Sequence, residues 1–466
     1  MDEKKQDEAL GPVPSKIEQG DFDKAPNHDA VFGEITGDGP NYRNIGWVGT
    51  AALMMKTQIG LGVLSIPVAF DTLGMVPGVI ILCVIACITT WSDYMIGAFK
   101  LRHREVYGID DTGALMFGYP GRVFLGFTFC LYWIFVAGSG MLGISISLNA
   151  VSTHGACTAI FVAVAAVLGF ALSSIRTLGR ISWIAWVGLF GILTAIFIVT
   201  IAVGVQERPA SAPQDGVWVS NYKIRGTPNF AEAITAISSI VFAYAGTPGF
   251  FAIVSEMRDP QYYTRSLILC QSVVTSVYIT IGCVVYYYCG SYVASPALGS
   301  AGPTMKKVSY GFGLPGLIVS TLLVIHLPAK YIFVRLLQGS KHLTANTFTH
   351  WAIWLSCTFG ITIIAYVIAS AIPVFNDLVS LVGALLGTMM SFQPMGCMWL
   401  YDNWSRGRTD RSLKWTLMVC WSIFVIVAGM FLMVAGTYGS IVSIISSYKE
   451  SGGSAAWSCA DNSNST

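Results

Sequence analysis

The chain has 466 residues, of which 54% are hydrophobic and only 11% are charged. A soluble protein of this composition would expose large apolar patches, so we expect lipid to cover much of the surface. The formal net charge of +2 gives no basis for a nucleic-acid partner.

Residues 1–46 form a polar segment that contains ten acidic residues. This segment has too few apolar residues to build a core, so it is predicted to be a disordered acidic tail in the cytosol. Its first residues, MDEKKQDEAL, are polar and acidic and do not resemble a cleavable signal peptide. Insertion into a membrane is therefore expected to use internal hydrophobic segments.

Eleven apolar runs follow the tail, and each is long enough to cross about 30 Å of hydrocarbon at about 1.5 Å per residue. Spanning segments must satisfy their own backbone hydrogen bonds, so these runs are predicted to be helices. They lie near 47–70, 75–99, 123–150, 156–175, 181–204, 231–254, 266–291, 310–335, 350–371, 377–401 and 415–445.

The runs divide into two sets of five helices and one additional helix. We predict a first repeat over 47–204, an extracytoplasmic loop over 205–230, a second repeat over 231–401, helix 11 within 402–445 and a polar C-terminal tail over 446–466. With these boundaries, 19 of the 27 Lys and Arg residues lie on the side of the N-terminus, and six lie on the other side. This asymmetry predicts a cytosolic N-terminus and an extracytoplasmic C-terminus.

The 11 cysteines mostly lie inside apolar runs, where they behave as small hydrophobic residues. No pair has the CxxC spacing of a metal site, and we expect neither a metal nor a cofactor. Cys157 and Cys289 both fall near predicted outer helix ends and could form a disulfide, although free thiols are the preferred interpretation.

Two of the predicted helices are interrupted near their middle. The first contains Gly60, Gly62 and Pro67, and the sixth contains Gly246 and Pro248. Breaking a helix in lipid exposes backbone polar groups, so a break persists only where the backbone lines a cavity. Interrupted helices at matching positions of two inverted repeats indicate a transporter site.

Close helix packing is the alternative explanation for such glycines, and we assign Gly138, Gly140 and Gly143 to it. A functional break suits a zwitterionic amino acid as substrate. The N-terminus of a half-helix can hold a carboxylate through free N–H groups, and free carbonyls opposite can hold an ammonium group.

The residues around the first helix carry a family resemblance. They are the segment GEITGDGPNYRNIGW over 33–47 and the motif Gly60-x-Gly62-x-Leu64-x-x-Pro67. Over residues 31–437 the chain resembles the amino acid/auxin permease family of the amino acid–polyamine–organocation superfamily, and it is similar to fungal neutral amino acid permeases.

This resemblance implies a five-plus-five inverted repeat, with the substrate at the unwound parts of helices 1 and 6. It implies that the substrate carboxylate meets the backbone of Gly60, Leu61 and Gly62. The ammonium group and side chain are then expected at Tyr244, Ala245 and Gly246, with Thr247 in the same site.

Lys56 departs from the pattern of sodium-coupled relatives, which commonly carry an asparagine at this position. Its ammonium group would occupy the place of the ion and repel sodium, which favours a proton-coupled or ion-independent carrier. The alternative is a lysine that snorkels to the inner interface.

His326 and Lys330 are four residues apart in helix 8 and share a helix face, although Pro328 lies between them. In the superfamily helix 8 commonly faces helix 1 at the cation site. We therefore predict a proton relay, with His326 favoured over Lys330 as the coupling residue. The alternative is a structural polar cluster in which Lys330 snorkels inward.

Other polar and aromatic residues at membrane depth are weaker candidates. The acidic residues Asp93, Glu232, Glu256 and Asp377 are interpreted as interfacial. The aromatic residues Tyr132 and Trp133 either line the substrate pocket or serve bundle packing.

These observations predict a secondary transporter, not an enzyme, that imports neutral amino acids by alternating access, with protons as the coupling ion. Its partners are then a small amino acid, the proton and the lipid bilayer. The alternative is an amino-acid sensor that signals through the N-terminal tail. The plasma membrane is the preferred location, and the vacuolar membrane is compatible with the same orientation.

Overall fold

The structure is a computed structural model that describes residues 28–29, 33–34, 44–60, 62–209, 211–340, 342–343, 346–372, 374–405, 407, 411–450 and 457–463. Most of the predicted acidic tail lies outside the described residues, and so does Leu61. Within the tail, β1 (His28–Asp29) and β2 (Gly33–Glu34) form a short antiparallel pair.

The remainder of the described chain is helical, in agreement with the predicted fold class. The α-helices are α1 (Trp47–Gln58), α2 (Ile66–Leu73), α3 (Met75–Arg102), α4 (Ile109–Ser152), α5 (Thr158–Ser173), α6 (Leu178–Val205), α7 (Phe230–Tyr244), α8 (Thr247–Ser255), α9 (Tyr263–Cys289), α10 (Pro303–Leu337), α11 (Phe348–Ala371), α12 (Phe375–Val382), α13 (Thr388–Ser391), α14 (Gln393–Asn403) and α15 (Leu413–Glu450). Short 3₁₀ helices cover Gly62–Ser65, Pro260–Tyr262, Gly290–Tyr292 and Ala297–Ser300, and one π-helical turn covers Gly383–Gly387.

Ten helical stretches of the described chain are long and apolar enough to cross a membrane, and α5 is a shorter apolar helix. Large apolar side chains point outward from these helices; Trp183 is 80% exposed and Phe190 is 72% exposed. Such a surface requires lipid as its solvent, so the chain is a multi-pass membrane protein. The largest boundary difference concerns α4, which begins at Ile109 instead of near 123 and bends at Gly118.

One end of the bundle carries most of the basic side chains, and we call it the basic end. Two of these side chains form ion pairs between helices, Arg102 with Asp402 (3.0 Å) and Arg335 with Asp110 (2.5 Å). A third pair, Arg122–Asp111 (2.8 Å), lies within α4 and spans its bend.

The opposite end is closed by a disulfide between Cys157 and Cys459, whose Cα atoms are 4.4 Å apart. The preferred free-thiol interpretation is therefore wrong for Cys157, and the alternative pairing with Cys289 is wrong too, because Cys289 is a buried free thiol. The segment around Cys459 also accepts hydrogen bonds, from Thr158 Oγ1 to the Ala460 carbonyl oxygen (2.6 Å) and from Asn149 to Asn462 Oδ1 (2.7 Å).

Candidate functional site

The first membrane run is interrupted beside its two glycines. Helix α1 ends at Gln58, Ile59 and Gly60 form a turn, and a 3₁₀ helix starts at Gly62 before α2 continues the run. The Ser65 hydroxyl donates to the Gly62 carbonyl oxygen at 2.8 Å and holds this short helix together. The predicted contact residue Leu61 lies outside the described residues.

The sixth run is interrupted in the same manner. Helix α7 ends at Tyr244, and α8 begins at Thr247 with Pro248 in its first turn. Between the two helices, the Gly246 N–H donates to the Tyr244 carbonyl oxygen at 2.8 Å. The regular hydrogen bonds of a helix are therefore lost at Ala245 and Gly246.

The two breaks lie against each other. A Cβ atom added at Gly62 would stand 2.3 Å from the Cα atom of Ala243, and one added at Gly246 would stand 2.6 Å from Thr57 Oγ1. The atom near Gly62 belongs to the main chain, so glycine is required there, whereas at Gly246 the Thr57 side chain would have to move. The predicted substrate residues of α1 and of α7–α8 thus come together in one place.

Lys56 points into this region and away from the membrane interface. The residue is only 1% exposed, and its Nζ atom donates to the Ile59 carbonyl oxygen at 3.0 Å. None of the ion pairs of the described residues includes Lys56. The snorkelling alternative is therefore wrong, because the ammonium group caps free carbonyls at the C-terminus of α1, where a cation is favoured.

Three tyrosines support the α7 side of the break. The Tyr132 hydroxyl donates to the Ala245 carbonyl oxygen, and the Tyr278 hydroxyl donates to the Ala243 carbonyl oxygen at 2.8 Å. The Tyr244 hydroxyl donates to Thr275 Oγ1 at 3.1 Å. Tyr132 thus contacts the site directly.

The Trp133 ring packs on α8, where a Cβ atom at Gly249 would stand 3.0 Å from it, and its indole N–H is buried with no partner within the described chain.

Two polar residues at the breaks, Gln58 and Ser320, were not predicted from the sequence. Both amide atoms of Gln58 and the Ser320 hydroxyl are buried and have no hydrogen-bond partner within the described chain. A Cβ atom at Gly60 would stand 2.4 Å from Ser320 Oγ, so this hydroxyl of α10 lies directly beside the break. Gln58 carried a signal, since it is polar within an apolar run, whereas nothing in the sequence distinguishes Ser320 from other serines.

Lys330 forms an ion pair with Glu256, and both side chains are almost completely buried. The second carboxylate oxygen of Glu256 accepts the Leu178 N–H at 3.3 Å. These bonds connect the end of α8 with α10 and with the start of α6. Glu256 lies at the end of α8 as predicted, but it is buried in an ion pair instead of exposed at the interface. The pair fits the alternative of a structural polar cluster, whereas the snorkelling of Lys330 is wrong.

His326 is fully buried and faces a different group of helices. Its Nδ1 atom lies 3.5 Å from the Ser173 carbonyl oxygen, and its ring centre lies 5.2 Å from that of Trp354. These contacts are with α5 and α11. Hence the described contacts of His326 and Lys330 do not bring the two side chains together at α1.

Of the other acidic residues, Asp93 is fully buried within α3, so its interfacial interpretation is wrong too. Glu232 is exposed and caps the start of α7 together with Asn229. Asp377 lies in the first turn of α12 and accepts a hydrogen bond from Ser443 at 2.9 Å. Within the described part of the chain, no cluster of His, Cys, Asp and Glu has the makeup of a metal site.

A family described as "Transmembrane amino acid transporter protein" matches residues 43–442 of this chain. The chain belongs to this family. The predicted amino acid/auxin permease resemblance is thereby confirmed.

Other members of this transporter family include fungal proteins. A "Transmembrane transporter" of Gibberella moniliformis is 32% identical over 98% of this chain and 96% of its own length. The "N amino acid transport system protein" of Neurospora crassa is 32% identical over 90% of this chain and 89% of its own length.

Solved transporter structures share the fold at low sequence identity. MhsT in complex with L-phenylalanine superposes with a TM-score of 0.56 at 11% identity, over 84% of this chain and 98% of MhsT. A Na⁺-coupled sialic acid symporter superposes with a TM-score of 0.54 at 12% identity, over 86% of this chain and 91% of the symporter. At such identities the likeness establishes the fold alone.

Proposed function

We propose that this chain is a secondary active transporter that imports neutral amino acids by alternating access and is driven by protons. The observation that carries the proposal is the contact between the two helix breaks, with buried polar atoms at their junction that have no described protein partner. Free backbone groups and unpaired side-chain donors and acceptors together suit a small zwitterion.

In this proposal the substrate carboxylate is bound by the backbone of the Gly60–Gly62 segment, with Leu61 at its centre. The ammonium group is bound by the carbonyl oxygens of Tyr244, Ala245 and Gly246, and Thr247 closes the site. The Ala245 carbonyl oxygen accepts from Tyr132, but a carbonyl oxygen has two lone pairs and can accept from the ammonium group as well. Tyr132 then fixes the orientation of this acceptor.

Proton coupling is proposed because Lys56 holds a carbonyl oxygen at the break as a bound cation would. A sodium ion at the same place would be repelled by the ammonium group. His326 and Lys330 remain predicted coupling residues, although Lys330 has an acidic partner in Glu256.

The Glu256–Lys330 pair is proposed as the closure of the pathway at the basic end. It joins α8, which continues the broken helix 6, to α10. Alternating access moves one group of helices against the other, so this bond has to open whenever the site faces the basic end.

We further propose eleven crossings in a five-plus-five inverted repeat, with the N-terminus in the cytosol. The positive charges at the basic end support this orientation. The Cys157–Cys459 disulfide at the other end supports it as well, because disulfides persist in oxidising compartments. We propose the plasma membrane as the location, and the vacuolar membrane is the alternative.

The proposal is tested by uptake of radiolabelled amino acids into proteoliposomes under an inward proton gradient, an inward sodium gradient or no gradient. We expect neutral amino acids to accumulate under the proton gradient and sodium to have no effect. Accumulation that requires sodium contradicts the interpretation of Lys56. No transport of any amino acid contradicts the proposed activity as a whole.

A further inference from the structure

A second acidic group lies beside the proposed substrate site and takes no part in the mechanism described above. Asp93 is fully buried within α3, and α3 packs against α8 and α9. The Gln271 amide of α9 donates to Asp93 Oδ2 at 2.6 Å. The Thr247 hydroxyl lies at the first residue of α8, the helix that packs on α3.

The groups around Asp93 are all uncharged. The titratable groups beside it are the Tyr263 phenol and the Cys270 thiol of α9. The Tyr263 hydroxyl donates to the Asp93 main-chain oxygen at 2.8 Å.

Helices α2, α7, α13 and α14 pack on α3 as well. Their acidic residues are Asp71, Glu232 and Asp402; Glu232 caps the start of α7, and Asp402 pairs with Arg102 at the basic end. No ion pair of the described residues includes Asp93.

An ionised carboxylate that is removed from both water and cations carries a large free-energy cost. The surroundings of Asp93 therefore fit a neutral carboxylic acid, whose proton the Thr247 oxygen can accept. Neither that oxygen nor Asp93 Oδ1 has a hydrogen-bond partner within the described chain. Loss of the proton would place a negative charge directly at the break in helix 6, so protonation and the conformation of the site are physically linked.

We propose that Asp93 carries the coupling proton and that Thr247 transmits its protonation state to the substrate site. This inference rests on the proposed transport function and replaces His326 and Lys330 by Asp93 as the carrier of the proton. Asp93 binds one proton from the extracytoplasmic side while the site is open there. It releases the same proton to the cytosol after the opposite end has opened and water reaches the carboxylate.

The test compares Asp93→Asn, Asp93→Glu and the wild-type chain in proteoliposomes, with Ser92→Ala as the neighbouring control on α3. Counterflow exchange without a proton gradient measures the amount of active protein. Accumulation under an inward gradient of two pH units measures coupling. One proton per substrate supports accumulation of about 100-fold, since each pH unit corresponds to about 1.4 kcal/mol.

We expect D93N to lower the ratio of gradient-driven accumulation to counterflow at least tenfold, to about the level without a gradient. D93E keeps a titratable group and is expected to retain most of this ratio, and S92A is expected to match the wild type. The inference is overturned if D93N has the same ratio as the wild type, or if D93N and D93E have equal ratios. In either case, gradient-driven accumulation by the wild-type chain still supports the proposed function.

The pH profile of a Gln271 variant and the substrate range of D93N provide two further tests. If D93N shows no counterflow, Gln271→Leu replaces it, because this variant removes the donor to Asp93 and keeps the carboxyl group. We expect Q271L to move the pH of half-maximal uptake upward, and an unchanged pH profile overturns the inference. A D93N protein that loses only cationic substrates and keeps its response to the gradient overturns it as well, because Asp93 then selects the substrate.

Discussion

The Glu256–Lys330 pair allows a quantitative test of the proposed closure at the basic end. The Glu256 side chain is 0% exposed and the Lys330 side chain is 2% exposed, so removal of one partner leaves the other charge buried. Such single removals cost about 3–5 kcal/mol, whereas replacement of both partners by uncharged groups is often nearly neutral. We therefore expect Lys330→Met to be strongly destabilising and the double variant E256Q/K330M to recover most of the loss.

Glu256→Gln is the suitable second variant, because glutamine keeps an acceptor for the Leu178 N–H. The free energy of unfolding is measured for the wild type, both single variants and the double variant in detergent. We expect a coupling energy of about 3 kcal/mol between the two sites. Asp259→Asn is the matched control, because its pair with Arg258 is exposed and is worth at most about 1 kcal/mol.

Thiol labelling of the same variants separates the closure of the pathway from the stability of the protein. If the pair closes the pathway, K330M favours the state open at the basic end, and a thiol reagent applied from that side labels an Ala252→Cys variant faster. Additivity of the two substitutions within about 0.5 kcal/mol would refute the reasoning, and so would unchanged labelling.

Three further predictions concern the breaks and the disulfide. Gly62→Ala is expected to lower uptake at least tenfold, about 1.4 kcal/mol, because its Cβ atom would overlap Ala243; initial rates of uptake measure this. Lys56→Asn is expected to make uptake sodium-stimulated, because the Ile59 carbonyl oxygen loses its cation; uptake with and without sodium checks it. The double variant C157S/C459S is expected to lose about 2 kcal/mol or more of stability at an unchanged KM, as shown by Tm and uptake.

Each of these predictions has a control in the same chain. Gly360→Ala places a Cβ atom where no heavy atom lies within 4 Å, so it should keep full uptake. Lys223→Asn removes a lysine distant from the breaks and should not create a response to sodium. Cys420→Ser removes an exposed free thiol and should leave Tm within about a degree of the wild-type value, because surface substitutions usually change stability by no more than about 0.5 kcal/mol. Equal effects in a variant and its control contradict the corresponding prediction.

The helix breaks were predictable because their cause is local. Gly60, Gly62, Gly246 and Pro248 interrupt apolar runs, and the chain ends α1 and α7 within a few residues of them. The burial of Lys56 was harder to predict from the sequence, because the same position suits a snorkelling side chain. Its outcome depends on the turn at Ile59, which supplies the carbonyl oxygen that Nζ contacts.

The errors concern contacts between residues far apart in the chain. Glu256 and Lys330 are 74 residues apart, and Cys157 and Cys459 are 302 residues apart. A sequence shows which residues are polar but not which helices become neighbours, so both pairings were missed. Likewise, the π-helical turn at Gly383–Gly387 has no distinctive composition, and it arises where this turn and α12 pack against α7.

The disulfide has a consequence for the number of times the chain crosses the bilayer. Cys157 and Cys459 must lie on the same side of the membrane to be bonded, so the chain between them crosses an even number of times. Seven helical stretches long enough to cross lie between them in the described residues, and seven is odd. The eleven crossings proposed above meet this condition, because they include helix α5, with only 16 residues, as an eighth crossing. A helix of about 24 Å is shorter than the hydrocarbon layer, so the bilayer is expected to be thinner around α5.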